Sequence, residues 1–256
     1  MCLAQTAPTQ QELETRLKSQ FLMLRGMWEG EKLTFDSQGN LIGSAQKTLF
    51  SLSAAVVTQI QLSDTQLEIQ GRRAGLQFSY NSGFFAKSLK IGARAFVNET
   101  LDVAIARDPL HPEALDDAIS KVFSVGIDER LAAGAPSYWQ SLLEQYLHPN
   151  QPIPPPSFPG RLYHPGGGVT NPVLFHTPDP GLGKAARQVN FSGVSVVGLI
   201  VDTQGVPQQI RIVRPLGLGL DEFAVYTVGQ YRFKPAIYRG QPVPVEVNVE
   251  VNFNPD

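Results

Sequence analysis

The sequence is short of several things. It carries one cysteine in 256 residues, which excludes an internal disulfide framework and any cysteine-built zinc cluster. Charged residues make up 17%, below the roughly one quarter usual in soluble domains. No apolar run approaches the ~20 residues of a membrane-spanning helix; the longest, Val194 to Val201, contains Ser195 and Gly198. An excess of positive charge is also missing. Lys and Arg number 21 against 23 Asp and Glu, for a net charge of −2 and a pI near 6.1, so no basic footprint of a nucleic-acid binder is present.

Motifs for chemistry are equally scarce. No G-x-S-x-G elbow occurs. His111, His148, His164 and His176 show no i, i+4 pair, and three of them adjoin proline. Gly166-Gly167-Gly168 and Leu216-Gly217-Leu218-Gly219 lack the lysine and the context of a phosphate loop, and read as connectors. Asp116-Asp117, Asp128-Glu129 and Asp221-Glu222 are sequence neighbours, which do not face one another on a helix. They read as charges in first helical turns. The expectation is a non-enzymatic protein with no catalytic residue, no metal site and no cofactor.

What is present suffices to fold. Apolar residues reach 42%, and 23 glycines and 20 prolines tilt the reading toward a β-rich exported chain of one or two domains. Met1-Cys2-Leu3-Ala4 before Gln5 resembles the end of a secretory signal peptide. Residues 1–8 are therefore expected to be a leader remnant or a disordered tail, and the protein to be periplasmic.

Residues 9–148 read as a β-rich domain with flanking helices. Leu13, Leu17 and Phe21 repeat every fourth residue, giving a helix over Gln10–Leu24. From Met27 to about Asn98, alternating runs separated by turn clusters such as Asp36–Asn40 and Asn81–Gly83 predict about six short strands, forming an antiparallel barrel-like or sandwich domain. A closed barrel there, lined by Phe35, Phe50, Phe78, Phe84 and Phe85, would offer the alternative function of binding a small apolar ligand. Pro112 then opens a helix, and Gly134-Ala135-Pro136 divides two more between Ile127 and Leu147. Six prolines between His148 and Pro159 mark a polyproline strap inside a linker over residues 149–170.

The last domain, residues 171–256, reads ββαβ. Phe191–Val201 and Val206–Val213 flank the turn Asp202–Gly205; Leu220–Gln230 is helical; a final strand runs from Val243 to Phe253. The final strand alternates strictly, with valines on one side and Pro244, Glu246, Asn248, Glu250 and Asn252 on the other. Val194–Val201 is apolar on both faces, so it is expected to be central and covered by the N-terminal domain or by a second subunit of a homodimer.

These landmarks resemble the C-terminal domain of the TonB energy-transducer family. The matching residues are Gly193–Val197, Val201-Asp202-x-x-Gly205-x-Pro207, Ile210-x-Ile212-Val213-Arg214, Leu220-Asp221-x-x-Ala224, Tyr231–Ala236 and Gly240-x-Pro242-Val243. The resemblance implies a three-stranded antiparallel sheet with helices, and a protein partner, an outer-membrane TonB-dependent transporter, that pairs an extended motif with the exposed last strand. Expected partner-binding residues are Val243, Val245, Glu246, Val247, Asn248, Val249, Glu250 and Val251. Against a full transducer, the chain as read shows no anchor and only a short spacer, so a binding module is the expectation, with membrane association through partners alone.

Overall fold

The computed structural model describes residues 7–18, 21–80 and 89–254. The expected leader remnant lies outside them but for Ala7 and Pro8, as do Asn81–Gly83, Phe84 and Phe85. Two compact units divide the chain: residues 1–77 with 91–134, and residues 78–90 with 135–256.

The first unit opens with α1 (Gln10–Leu17), started by a capping box in which Thr9 Oγ1 accepts from the Glu12 N–H and Glu12 Oε2 from the Thr9 N–H. Leu13 and Leu17 are its buried face. The helix stops at Lys18 instead of reaching Leu24. Leu22–Leu24 forms strand β1, buried at every position and paired with strands on both sides. An unbroken apolar run reads alike for a buried helix and a central strand, and the tertiary pairing decides it.

The remaining strands of this unit are β2 (Lys32–Phe35), β3 (Ala54–Leu62), β4 (Gln66–Tyr80), β5 (Leu89–Ala106) and β6 (Phe123–Val125), the end of β4 from Phe78 and the first two residues of β5 being counted with the second unit. They assemble in the order β2-β5-β4-β3-β1-β6. β1 pairs antiparallel with β3 and β6, whereas β2 runs parallel to β5. Among the described residues the sheet stays open, with short edge strands of four and three residues. The barrel-like half of the expectation is thereby corrected. An open sheet encloses no calyx, and Phe35 and Phe50 are buried core instead of a ligand-lining wall. The helices α1 and α2 (Leu115–Val122) contribute Leu13, Leu17, Leu115, Ile119 and Val122 to one apolar cluster with Leu67, Ile69, Val103 and Ile105. At the end of β1, Arg25 pairs with Asp128, just before α3 (Glu129–Gly134), and donates to the carbonyls of Ser120 and Phe123. The bond from Arg25 pulls the Asp128 carboxyl down to about 2, against the effect of burial.

The second unit contains α4 (Ser137–Leu147), β7 (Val173–His176), α5 (Lys184–Gln188), β8 (Gly193–Val201), β9 (Pro207–Arg214), α6 (Leu220–Gly229), β10 (Arg232–Lys234), β11 (Ala236–Tyr238), β12 (Gln241–Val243) and β13 (Val245–Phe253). Its main sheet is antiparallel and three-stranded, in the order β13-β8-β9. This is the ββαβ unit expected from the sequence, with β7–β10 and β11–β12 added as two small ribbons.

The pleat sends successive side chains of β8 to opposite faces. Val197, Leu199 and Val201 pack with Leu220, Ala224 and Val228 of α6. On the other face Ile200 is fully buried, and α4 lies against the neighbouring strand β9. This helix belongs to the same unit as β8, and is neither the N-terminal domain nor the second subunit expected as its cover; its Trp139 stacks on Phe78 at 5.4 Å. The β8–β9 turn is built on Asp202, whose Oδ1 accepts from the Gln204 and Val206 N–H groups. Gly205 closes it at φ 80°, where a Cβ would also collide with the Phe233 carbonyl.

Candidate partner-binding edge

Pro244 has no N–H and divides the expected final strand in two. Val243 falls in β12, opposite Ala236. β13 then pairs with β8 through nine consecutive positions, from Val245 opposite Val201 to Phe253 opposite Gly193, with no break in register. In an antiparallel strand the N–H and C=O of one residue point to the same edge, and the next residue's point to the other. The Glu246 N–H donates outward to the Tyr163 carbonyl at 3.1 Å, and the Tyr163 N–H donates to the Pro244 carbonyl at 3.0 Å. The even-numbered residues of β13 therefore turn their backbone away from β8. Among the described residues, Asn248, Glu250 and Asn252 have no backbone partner on that outer edge.

The chain itself covers only the start of the edge. Tyr163 lies parallel to β13, opposite Val245, and is held there by its contact with Tyr238 at 5.5 Å and by Arg161 stacked over its ring at 4.8 Å. Two residues later Pro165 offers no donor, and Gly166 and Val169 exchange two backbone bonds that turn the chain toward Tyr238.

The opposite edge of the sheet is built differently. β9 starts at Pro207, shifts register against β8 twice, and carries Gln209 at φ 47°. Proline and bulges blunt an edge by removing donors and twisting it away. The β13 edge has neither device after Pro244.

The side chains sort by face. Val245 and Val251 are buried toward α6, and Val247 and Val249 are half-buried. Asn248 and Glu250 are exposed on the other face, while Glu246 is half-buried there in an ion pair with Arg211 and lies 3.9 Å from His164 Nδ1. Glu246, Asn248, Arg211 and His164 border a groove of about 430 Å³, walled by Leu142 of α4 and by Ile153 and Pro154 of the strap. Gly198 of β8 lies opposite Asn248. A Cβ there would meet Val213 Cγ2 at 2.9 Å, Arg211 Cζ at 3.0 Å and Asn248 Oδ1 at 3.0 Å. Gly198→Ala is expected to displace the Arg211–Glu246 pair and destabilise the second unit by about 1–3 kcal/mol, as overpacking does. Urea denaturation followed by circular dichroism checks this; an unchanged midpoint would show that the three neighbours yield freely.

Asp221 and Glu222 were legible as first-turn acids of α6, but their burial was not. Asp221 is fully buried, and Glu222 is 5% exposed. Asp221 accepts from Ser195 Oγ at 2.6 Å and from the Leu216 and Gly217 N–H groups at 2.9 and 2.7 Å. Trp139 Nε1 donates to Glu222 Oε1 at 3.1 Å. Burial, and then the charge of Glu222, pushes Asp221 up to about 7, while the three bonds to it pull the other way. Asp221 holds the loop between β9 and α6, in which Leu218 sits at φ 55°.

The second unit is thus a three-stranded α+β domain with one blunted and one open edge. Residues 180–255 match the model of the Gram-negative bacterial TonB protein C-terminal family, and the match covers the last third of the chain. That family is a non-enzymatic protein-interaction domain serving envelope transport, in proteins that face the periplasm. No curated protein matches the chain.

Proposed function

We propose that this protein is a periplasmic, non-enzymatic interaction module linked to outer-membrane transport, and that it captures a partner by adding the partner's extended segment to β13. The observation that carries the reading is the unpaired run of outward N–H and C=O groups at Asn248, Glu250 and Asn252 on a strand with unbroken register. Such an edge is a template for an incoming strand. By the family likeness, the partner is an outer-membrane TonB-dependent transporter, and the first unit serves as an accessory domain.

Of the eight expected residues, Asn248 and Glu250 supply free backbone groups. Val247, Val249 and Val251 supply the inward bonds that keep the strand flat. Val243, Val245 and Glu246 lie at the end already occupied by the chain's own pairing. Titration of the isotope-labelled full chain with a transporter-derived peptide is expected to shift the amide resonances of Asn248, Glu250 and Asn252, and to slow their hydrogen exchange. Shifts confined to other parts of the molecule, or none at millimolar peptide, would overturn the mechanism.

A further inference from the structure

We infer that the strand accepted on this edge is a short extended peptide of another protein, with a lysine or arginine beside Glu250 and apolar residues beside Val249 and Val251. The inference rests on the strand-addition reading and defines its occupant. Two observations carry it, one of length and one of charge.

The length follows from the ends of the edge. Tyr163 occupies the place opposite Val245 and accepts the outward N–H of Glu246. A guest therefore cannot pair before Val247. β13 ends at Phe253, opposite Gly193. The open groups lie between Asn248 and Asn252, a span of roughly 14 Å at ~3.4 Å per residue. A core of about five paired residues fills it, using the N–H and C=O of three host residues.

The charge follows from the two acids of β13. Glu246 is engaged by Arg211 from β9, with His164 beside it. Glu250 is exposed, and its cross-strand neighbour on β8 is Val196, an apolar residue. The next residue in that row is Arg214 on β9, two strands away. On the guest side, the position directly opposite Glu250 is within reach of a cation, and opposite charges across paired strands attract while like charges repel. The same pleat sets the guest's other residues. Those flanking the cation share the face of Val249 and Val251, so apolar side chains continue that surface, and those beyond it stand beside Asn248 and Asn252, where polar side chains fit.

A palindromic probe removes strand direction from the test. The capped peptide threonine-valine-lysine-valine-threonine presents the same pattern whether it binds parallel or antiparallel. It is compared with peptides carrying glutamine or glutamate at the centre, by amide shifts of the labelled full chain. The lysine peptide is expected to bind about two- to fivefold tighter than the glutamine one, and the glutamate peptide weaker by a similar factor. Glu250→Lys is expected to invert that order, and 0.5 M salt to compress it. Equal binding of all three at Asn248, Glu250 and Asn252 would leave strand addition standing and overturn the charge rule. Absence of shifts with every peptide, and with the Glu250→Lys chain, would overturn both.

Discussion

Asp221→Ala is expected to destabilise the second unit by about 3–5 kcal/mol. The residue is fully buried and receives three donors, two of them backbone N–H groups of the β9–α6 loop. Each buried donor left without a partner costs roughly 1–3 kcal/mol, less where the site relaxes or water enters. The loop it holds includes Leu218 in the left-handed region, a conformation unfavourable by about 1–2 kcal/mol that needs outside support. Denaturation followed by Trp139 fluorescence in a Trp28→Phe background measures the loss. A change below about 1 kcal/mol would mean that the loop is held elsewhere.

The same carboxyl gives the unit a pH dependence. Its pKa is about 7 folded and about 3.9 unfolded. Between these values the folded state holds a proton that the unfolded state has lost, so stability falls as pH rises, by up to ~1.4 kcal/mol per pH unit. The contribution is fully present below about pH 4 and gone above about pH 7. Asp221→Asn is expected to flatten this slope. Unfolding free energies at intervals from pH 4 to 8 decide it, and parallel profiles for the two proteins would assign the slope to other groups.

Asn248→Pro is expected to abolish peptide capture, with at least a tenfold loss of affinity, while the unit stays folded. The Asn248 N–H points outward and takes no part in the β13–β8 ladder, so proline removes a donor the fold does not use. Val249→Pro makes the matching control. Its N–H points toward β8, and losing it inside the ladder is expected to cost about 3 kcal/mol or more. Comparing the thermal midpoints and peptide affinities of both variants separates binding from folding. If Asn248→Pro bound as well as the parent chain, the guest would not be using this edge.

The C-terminal fold was readable because its signals are local. Strict alternation through Val245–Phe253 and the Asp202–Gly205 turn specify strand and hairpin without knowledge of what they touch. The open edge was implied by the family resemblance and not by the alternation, and its extent by neither. That depends on Tyr163, which lies some eighty residues earlier and meets Val245 only in three dimensions. Pro165 was the available hint, since a proline soon after an extended pair ends pairing. The Asp221–Glu222 burial was hidden for a related reason, because its donors Ser195 and Trp139 come from distant segments. In the first unit, Leu22–Leu24 was misread as helix because a fully buried run carries no period. Barrel and sandwich could not be told apart because the number of strands does not reveal whether the outermost two meet.

The difference between the two margins of the sheet also governs self-association. Endless stacking of identical copies requires each to present a donor margin and a receptive one, so that a fibre grows head to tail. Here the β9 side, kinked by Pro207 and two register shifts, is unfit to serve as the next template. Strand addition at β13, as proposed, would therefore stop after a single ribbon on this sheet.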